Sequence, residues 1–295
     1  MTAEMRLLDL RGRRSSRAEL RALVPRAAIS AEEITSRVRP IVRQVARRGE
    51  SALREQARTF DQVDGHALQV PADTVQDSLR DCPPEVAAAL SEMIRRLRET
   101  SAMQVPAEQV TRFADGAQVR QRWHPVSRVG LYAPGGKAAY PSSVLMNAVA
   151  AQVAGVRELA LASPAQHDQD GLPHLAVLWA AALAGVTEVY AIGGAGAIAA
   201  FAYGVPSIGL EPVDVITGPG NAYVAEAKRL VNGIVGIDSV AGTTEILIIA
   251  DGHADPIHVA ADLISQAEHD EAAASVLVTD SARLANGYCE AQRHT

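Results

Sequence analysis

The sequence predicts an α/β protein built on parallel strands with helices on both faces of the sheet. After about residue 127, strand, Gly- or Pro-containing turn and helix alternate repeatedly, which is the pattern of successive βα units. Several of these turns are rich in glycine. The chain has 295 residues and is 48% hydrophobic, which is enough for two compact domains. In such sheets ligands bind at the carboxyl ends of the strands, where these turns lie.

The first 130 residues are predicted to be helical and then β. Residues 1–28 are rich in arginine and indicate an arm or a short helix. Ser30 to Glu33 fits a capping box, and apolar residues then follow at helical spacing, with Pro40 as an interruption. Further predicted elements are helices near 50–60, 71–80 and 83–100 and short strands at 109–113, 117–123 and 127–132.

The alternating region is predicted in detail from its apolar runs and its turns. The predicted strands are 129–132, 158–162, 188–192, 213–217 and 245–250, and the predicted helices between them are 142–154, 172–184, 197–203 and 222–231. A helix at 257–270, a strand at 275–279 and a helix starting near 281 follow. Because the alternation is still under way at Thr295, this organisation is typical of a truncated chain.

Composition restricts the classes of function. The formal net charge of −6 gives no global reason to bind nucleic acid, and only Lys137 and Lys228 are lysines among 28 basic residues. The longest apolar stretches, such as 175–186, are too short to span a bilayer, so no membrane partner is expected. Cys82 and Cys289 are far apart in the sequence and predict no disulfide framework, which fits a reducing cytoplasm. Any transition-metal site would therefore use His, carboxylate or amide groups as ligands.

Three glycine-rich turns are candidate ligand-binding loops. The turn at 130–136 lies between a strand and a helix, whose free N–H groups suit a phosphate, although a tight turn alone would account for it. Gly194, Gly196 and Ala199 formally satisfy GxGxxG/A, with Asp214 as a possible ribose partner, which is a weak match. The turn at 217–221 ends in Asn221, which is either a plain helix cap or a ligand contact.

A fourth segment, 265–270, lies at the end of a predicted helix. His258, Asp262, Gln266 and His269 share one helix face, and the apolar residues Val259, Leu263, Ile264 and Ala267 take the opposite, buried face. Gln266 and His269 could bind one metal ion through an amide oxygen and an imidazole nitrogen. Spacing alone favours an ordinary exposed polar face, because a zinc site needs about four ligands.

These segments together resemble histidinol dehydrogenase. The resemblance is carried, in order and spacing, by 129–136, 217–221, 226–229 and 262–270, and it covers essentially the whole chain. It implies NAD-dependent oxidation of L-histidinol to L-histidine in two steps through histidinal, with Zn²⁺ holding the substrate. It also implies a homodimer of intertwined subunits, and two related α/β domains that are incomplete relative to a standard Rossmann fold.

The resemblance assigns roles to individual residues. Tyr132 and Asn221 are expected to contact NAD, and Gln266 and His269 are expected to bind both zinc and substrate. Residues 132–245 are expected to form the NAD-binding domain. Residues 29–131 and 246–295 are expected to form the domain on the zinc and substrate side.

Two positions depart from the family pattern. Gly196 stands where a glutamine that contacts NAD is expected, and the formal GxGxxA match arises from this change. Thr244 stands where a serine that contacts the substrate is expected. The Glu-His pair of the family, which acts as general base, and two further zinc ligands are expected beyond Thr295, so the resemblance assigns no catalytic residue to this chain and implies impaired catalysis.

Two rival functions remain open from the sequence. A zinc- and NAD-dependent dehydrogenase for another small alcohol would use the same scaffold, with Gly196 and Thr244 altering selectivity. A non-catalytic remnant that binds a nucleotide or pairs subunits would show NAD binding without zinc-dependent turnover.

Overall fold

The computed structural model describes residues 6–23, 31–135, 139–241, 244–269 and 273–291. Ser30, Gly136 and Asp270 of the predicted motifs lie outside these residues, as does the Gly242–Thr243 pair. Contacts divide the chain into a larger unit, residues 32–242, and a smaller unit formed by residues 1–31 and 243–295. Contacts group residues 32–131 with residues 132–242 in one unit, whereas the sequence predicts a domain boundary at 131/132.

The larger unit begins with helices, as predicted. Their bounds are α2 (Ala31–Arg48), α3 (Glu50–Gln56) continued by a π-helical turn (Ala57–Asp61), α4 (Ala72–Asp77) with a 3₁₀ turn (Ser78–Asp81), and α5 (Pro84–Ala102); α1 (Arg17–Leu23) precedes them. The predicted interruption at Pro40 is wrong, since α2 runs through it. Val38, Val42 and Val45 bury the helix against the core, and this packing outweighs the hydrogen bond that proline removes.

A six-stranded sheet forms the centre of this unit. Its strands, in spatial order, are β1 (Gln69–Val70), β6 (Glu188–Ala191), β5 (Glu158–Ser163), β4 (Arg128–Tyr132), β7 (Val215–Thr217) and β8 (Gly236–Ile237). All neighbours are parallel except β1 and β6. The chain passes from β4 outward to β6 and then returns to β7, so the direction of winding reverses between β4 and β7. The predicted parallel sheet is confirmed.

Helices cover both faces of the sheet and bury two apolar cores. One face carries α4, α5, α6 (Pro141–Val153) and α7 (Leu175–Leu183), and the other carries α2, α3, α8 (Gly194–Tyr203) and α9 (Ala222–Val231). Alanine, valine, leucine and isoleucine make up most of both cores, as the composition predicts. The strands β2 (Gln109–Arg112) and β3 (Gln118–Gln121) form a separate, exposed antiparallel hairpin.

The smaller unit contains β9 (Glu245–Ile249), α10 (Pro256–His269), β10 (Ala274–Val278) and α11 (Ala282–Ala291). The predicted strand 245–250 is observed as β9. Strand β9 pairs in parallel with β10 in a two-stranded sheet of its own. The helix α10 covers this sheet with Val259, Ala260 and Leu263. Within the described residues, no helix is long and apolar enough to cross a membrane.

Candidate active site

The direction of winding reverses between β4 and β7, so their carboxyl ends are the candidate position for a ligand. Open α/β sheets bind ligands at this kind of position, because the helices that follow the two strands lie on opposite faces and leave space between their ends. Tyr132 is the last residue of β4, and Thr217 is the last residue of β7. Two of the three predicted glycine-rich turns, which follow these strands, therefore lie side by side.

Tyr132 is buried and anchors the neighbouring glycine-rich turn. Its hydroxyl oxygen accepts a hydrogen bond from the backbone N–H of Gly194 at 3.0 Å. Burial raises the pKa of Tyr132 to about 12, so the hydroxyl stays protonated. Among the described residues, nothing accepts its proton. Tyr132 thus keeps one donor available at the edge of the sheet.

The turn after β6 leads directly into α8, which begins at Gly194 rather than at the predicted residue 197. Gly193 is the N-cap, and its carbonyl accepts hydrogen bonds from Ala197 N–H and from the Gln56 amide. Within the described part of the chain, the N–H groups of Ala195 and Gly196 have no acceptor. Unpaired N–H groups at a helix N-terminus favour an anionic group such as a phosphate.

The turn after β7 is held by a buried ion pair. The Lys228 ammonium donates to the carbonyl of Gly218 at 2.5 Å and to Asp238 Oδ1 at 2.6 Å. The backbone N–H of Gly218 donates to Asp238 Oδ2 at 2.9 Å. Gly218 has a φ of +122°, and a Cβ there would lie 2.0 Å from the carbonyl oxygen of Tyr132. The position therefore accepts only glycine, and the turn packs directly on the end of β4.

Asn221 caps α9 and still has a free donor. Its Oδ1 accepts hydrogen bonds from the N–H groups of Tyr223 and Val224, both at 3.1 Å. Its Nδ2 has no partner among the residues described, and the side chain is exposed. The predicted cap is confirmed. The amide can hold the helix and donate to a ligand at the same time, so the two readings of Asn221 are compatible.

Two hydroxyl groups at the same edge are buried without a partner in the described structure. They are Ser163 Oγ, at the end of β5, and Thr217 Oγ1, at the end of β7. Ser163 Oγ also lies near the turn after β4, since a Cβ on Gly135 would come within 3.2 Å of it. Buried polar groups are normally hydrogen-bonded, so unsatisfied ones at a sheet edge fit a site that takes a polar ligand. Together with the free N–H groups, they fit a ligand that carries hydrogen-bonding or anionic groups.

Asp214 does not belong to this edge. It precedes β7, and its Oδ2 accepts the N–H groups of Ser127 at 2.8 Å and Arg128 at 2.9 Å, next to the start of β4. The possible role of Asp214 as a ribose partner is therefore wrong, because a standard fingerprint needs the acidic group at the carboxyl ends of the strands.

Sequence reasoning missed two polar side chains on the segment that joins α3 to its π-helical turn. Gln56 is buried and reaches Gly193, as described above. Burial raises the pKa of Asp61 to about 6. Helical periodicity gave no sign of either role, although the π-helical turn is a conformation that recurs at functional sites.

The motif at 226–229 has a structural explanation. Glu226 is buried in α9 and receives two hydrogen bonds from Arg229 at 2.7 Å, and a third from Thr35 Oγ1 at 2.6 Å. These bonds, chiefly those from Arg229, lower the pKa of Glu226. Lys228 holds the turn at Gly218 from the same helix. The motif therefore ties α9 to α2 and fixes the loop ahead of its own N-terminus.

The helix α10 carries the predicted metal ligands in the smaller unit. Gln266 is half-buried, whereas His258 and Asp262 are exposed. Val259 and Leu263 are buried as predicted. Ile264 is only partly buried, and the prediction that Ala267 is buried is wrong, because the two-stranded sheet extends too little to cover the end of the helix.

A metal centre is not complete within this unit. His269 is the last residue of α10, three positions after Gln266. In the ranges described, no group of three or more His, Cys, Asp or Glu side chains could hold a metal ion. Thr244 is exposed directly before β9, so it also lies in the smaller unit. The described residues do not make a closed zinc site by themselves.

Comparison with known proteins gives the family. The family model for histidinol dehydrogenase matches residues 24–292. The chain belongs to the histidinol dehydrogenase family. The histidinol dehydrogenase of Leifsonia xyli is 56% identical over 94% of this chain and 64% of its own length, and that of Bifidobacterium longum is 54% identical over 98% and 63%.

A solved structure of the family has the same fold. The crystal structure of histidinol dehydrogenase from Elizabethkingia anophelis superimposes with a TM-score of 0.84 at 29% identity, over 95% of this chain and 64% of that one. The chain thus spans somewhat less than two thirds of the length of these histidinol dehydrogenases. The resemblance inferred from the four motifs is confirmed, and so is the α/β fold.

Proposed function

We propose that the chain is of the histidinol dehydrogenase type, an oxidoreductase that uses NAD to oxidise L-histidinol to L-histidine through histidinal. We further propose that turnover by the 295-residue chain itself is impaired, because none of its residues is assigned as the general base and only two are assigned as zinc ligands. Membership of the family carries this proposal. The structure supports it with unsatisfied polar groups at the reversal point of the sheet, where a dinucleotide would bind. The family also suggests a cytoplasmic homodimer as the working form.

The proposed NAD site comprises Tyr132, Asn221 and the first turn of α8, which includes Gly196. The Tyr132 hydroxyl and the Asn221 amide each retain a donor, and the N–H groups of Ala195 and Gly196 face no acceptor among the described residues. Bound NAD supplies the hydride acceptor for alcohol oxidation. The protein's own part in this proposal is to hold the cofactor by neutral side-chain donors and backbone N–H groups.

Zn²⁺ is proposed to bind Gln266 and His269, with Thr244 contacting the substrate. An amide oxygen and an imidazole nitrogen are acceptable zinc ligands, and the i, i+3 spacing on α10 puts them on one face. Two ligands are fewer than the four that zinc usually takes, so these residues supply part of a site and no catalytic step is derived through the metal.

The first test measures the binding of NADH to the chain by fluorescence titration. A second assay measures the formation of NADH from NAD and L-histidinol in the presence of zinc. Competition between NADH and NAD, and turnover that prefers histidinol over other small alcohols, would support the proposal. Turnover of a different alcohol in a panel would favour the rival that Gly196 and Thr244 suggest. NADH binding without any zinc-dependent turnover would favour a non-catalytic nucleotide-binding remnant, and a chain that binds no NADH would exclude the proposed cofactor site.

A further inference from the structure

Gln56 is a buried amide that the proposed site does not yet use. It ends α3 and has 9% of its surface exposed. Its Nε2 donates to the carbonyl of Gly193 at 2.7 Å. Its Oε1 is buried and has no hydrogen-bond partner in the described structure. An unpaired buried amide oxygen is costly, so its retention at this place calls for a reason.

The reason lies in the contact with Gly196. A Cβ built on Gly196 would lie 2.1 Å from Gln56 Oε1, 2.8 Å from its Cδ and 2.9 Å from its Nε2. The amide therefore fills the volume that any side chain at position 196 would need. Gly196 is helical and its φ is not positive, so space rather than backbone conformation requires glycine here. The direction of the missing Cβ also means that Oε1 faces a Cα–H of Gly196, which is only a weak donor to this oxygen.

The turn is consequently fixed from two sides by side chains of different elements. Gln56 holds the carbonyl of Gly193, and Tyr132 holds the N–H of Gly194. The next two N–H groups, of Ala195 and Gly196, are those without an acceptor in the described residues. The carbonyl of Gly193 and the N–H of Gly194 belong to one rigid peptide plane, so the two bonds fix the plane from which α8 starts. The helical backbone that follows this plane then sets the direction of the free N–H groups.

We propose that Gln56 is a positioning residue for the dinucleotide site, and that it works only with glycine at position 196. This inference rests on the proposed function, since it assumes that NAD binds at the start of α8. In this role Gln56 acts through its hydrogen bond to the carbonyl of Gly193 and not by touching the cofactor. It sets the affinity for NAD by holding the turn in the geometry that the cofactor needs.

A double-mutant cycle tests the pair. The variants are Gln56→Ala, Gly196→Ala and the double variant, with Gln44→Ala on the exposed face of α2 as a matched control. Each is measured for its midpoint of thermal unfolding and its Kd for NADH. Gln56→Met is added because it keeps most of the volume without the donor to Gly193, so folding is retained.

Specific results are expected. Gln56→Met should weaken NADH binding on the order of tenfold, because small misplacements of binding groups cost this much. Gly196→Ala should lower the melting temperature, and the double variant should melt higher than Gly196→Ala alone, since the alanine methyl then occupies the space left by Gln56. Gln44→Ala should change neither quantity.

The outcomes separate the two proposals. A parent chain that binds no NADH overturns both the proposed cofactor site and the role of the pair in affinity. A parent chain that binds NADH, with an unchanged Kd in Gln56→Met, overturns the positioning role alone, even where the melting temperature falls. If the decreases in melting temperature of Gln56→Ala and Gly196→Ala simply add up in the double variant, the steric pairing of Gln56 with Gly196 is overturned.

Discussion

The ammonium of Lys228 lies 2.6 Å from Oδ1 of Asp238. Lys228 donates a hydrogen bond to the backbone carbonyl of Gly218, and Asp238 accepts one from the backbone N–H of Gly218. Lys228 is 3% exposed, whereas about a third of the Asp238 side chain reaches solvent. A buried charge is tolerated only when it is paired and hydrogen-bonded. The pair therefore acts as a clamp on the turn between β7 and α9.

The first prediction concerns this clamp. Lys228→Met should lower the free energy of unfolding by about 3 kcal/mol, because it leaves a partly buried carboxylate unpaired. Removing both charges, in Lys228→Met with Asp238→Asn, should cost less than the single change. Urea unfolding measures both variants, with Arg47→Met as an exposed cation control. A double variant that is less stable than Lys228→Met would contradict the clamp.

Gly218 allows a second prediction with an internal control. Gly218→Ala combines a positive φ with a Cβ that would lie 2.0 Å from the Tyr132 carbonyl oxygen. Gly233 also has a positive φ, of +101°, but nothing lies within 4 Å of its Cβ position. Gly233→Ala should cost about 1–2 kcal/mol of backbone strain, and Gly218→Ala should cost about 2 kcal/mol more from overpacking. Equal losses in chemical unfolding would show that the close approach to Tyr132 is not limiting.

Asn221 permits the cap and the ligand contact to be separated. Asn221→Asp keeps the oxygen that accepts from Tyr223 and Val224 but replaces the free Nδ2 donor by a carboxylate oxygen. The melting temperature should therefore stay close to that of the parent chain, while NADH binding should weaken by at least about tenfold, or about 1.4 kcal/mol. Asn221→Ala should lose the cap as well, at about 1 kcal/mol of stability. Unchanged NADH affinity in Asn221→Asp would remove Asn221 from the proposed site.

The buried carboxyl group of Asp61 predicts that the stability of the folded chain depends on pH. Burial raises its pKa from 3.8 to about 6, so the folded chain binds this proton more tightly than the unfolded chain does. The contribution of Asp61 to the free energy of unfolding is therefore fully present below the unfolded pKa and is lost as the pH rises through about 6. At neutral pH the buried carboxylate then lowers the stability of the folded chain. A shift of about two units corresponds to about 3 kcal/mol for a fully buried group, and partial exposure reduces the expected penalty to about 1 kcal/mol.

Asp61→Asn should therefore stabilise the chain by about 1 kcal/mol at pH 7.5 and by less at pH 5. Unfolding in urea at several pH values measures this difference. Asp81→Asn, which changes an exposed carboxyl, serves as the control and should show no such trend. A variant that is destabilised at pH 7.5 would mean that the carboxylate has an ionic partner in the folded chain.

Much of the scaffold followed from the sequence because its signals are local. Apolar runs bounded by glycine and proline predicted strands β4 to β7 and helices α6, α7 and α9 to within a few residues. Asn221 was predicted as a cap because a short amide side chain before an apolar helix satisfies free N–H groups. Positions where tertiary contacts decide the structure were less well predicted. Pro40 lies inside α2, and α8 begins three residues early because Tyr132 and Gln56 hold its first turn.

The sequence by itself determined the family, the parallel α/β architecture and the candidate ligand loops, since each depends on residues close together in the chain. Only the tertiary structure decided that β9 pairs with β10, and that Asp214 lies at the wrong edge for a ribose contact. It also decided that the amide of Gln56, 140 positions earlier in the chain, occupies the space where a Cβ of residue 196 would lie. The physical reason is that strand order, buried ion pairs and steric exclusion join residues far apart in the chain, and local periodicity carries no information about such contacts.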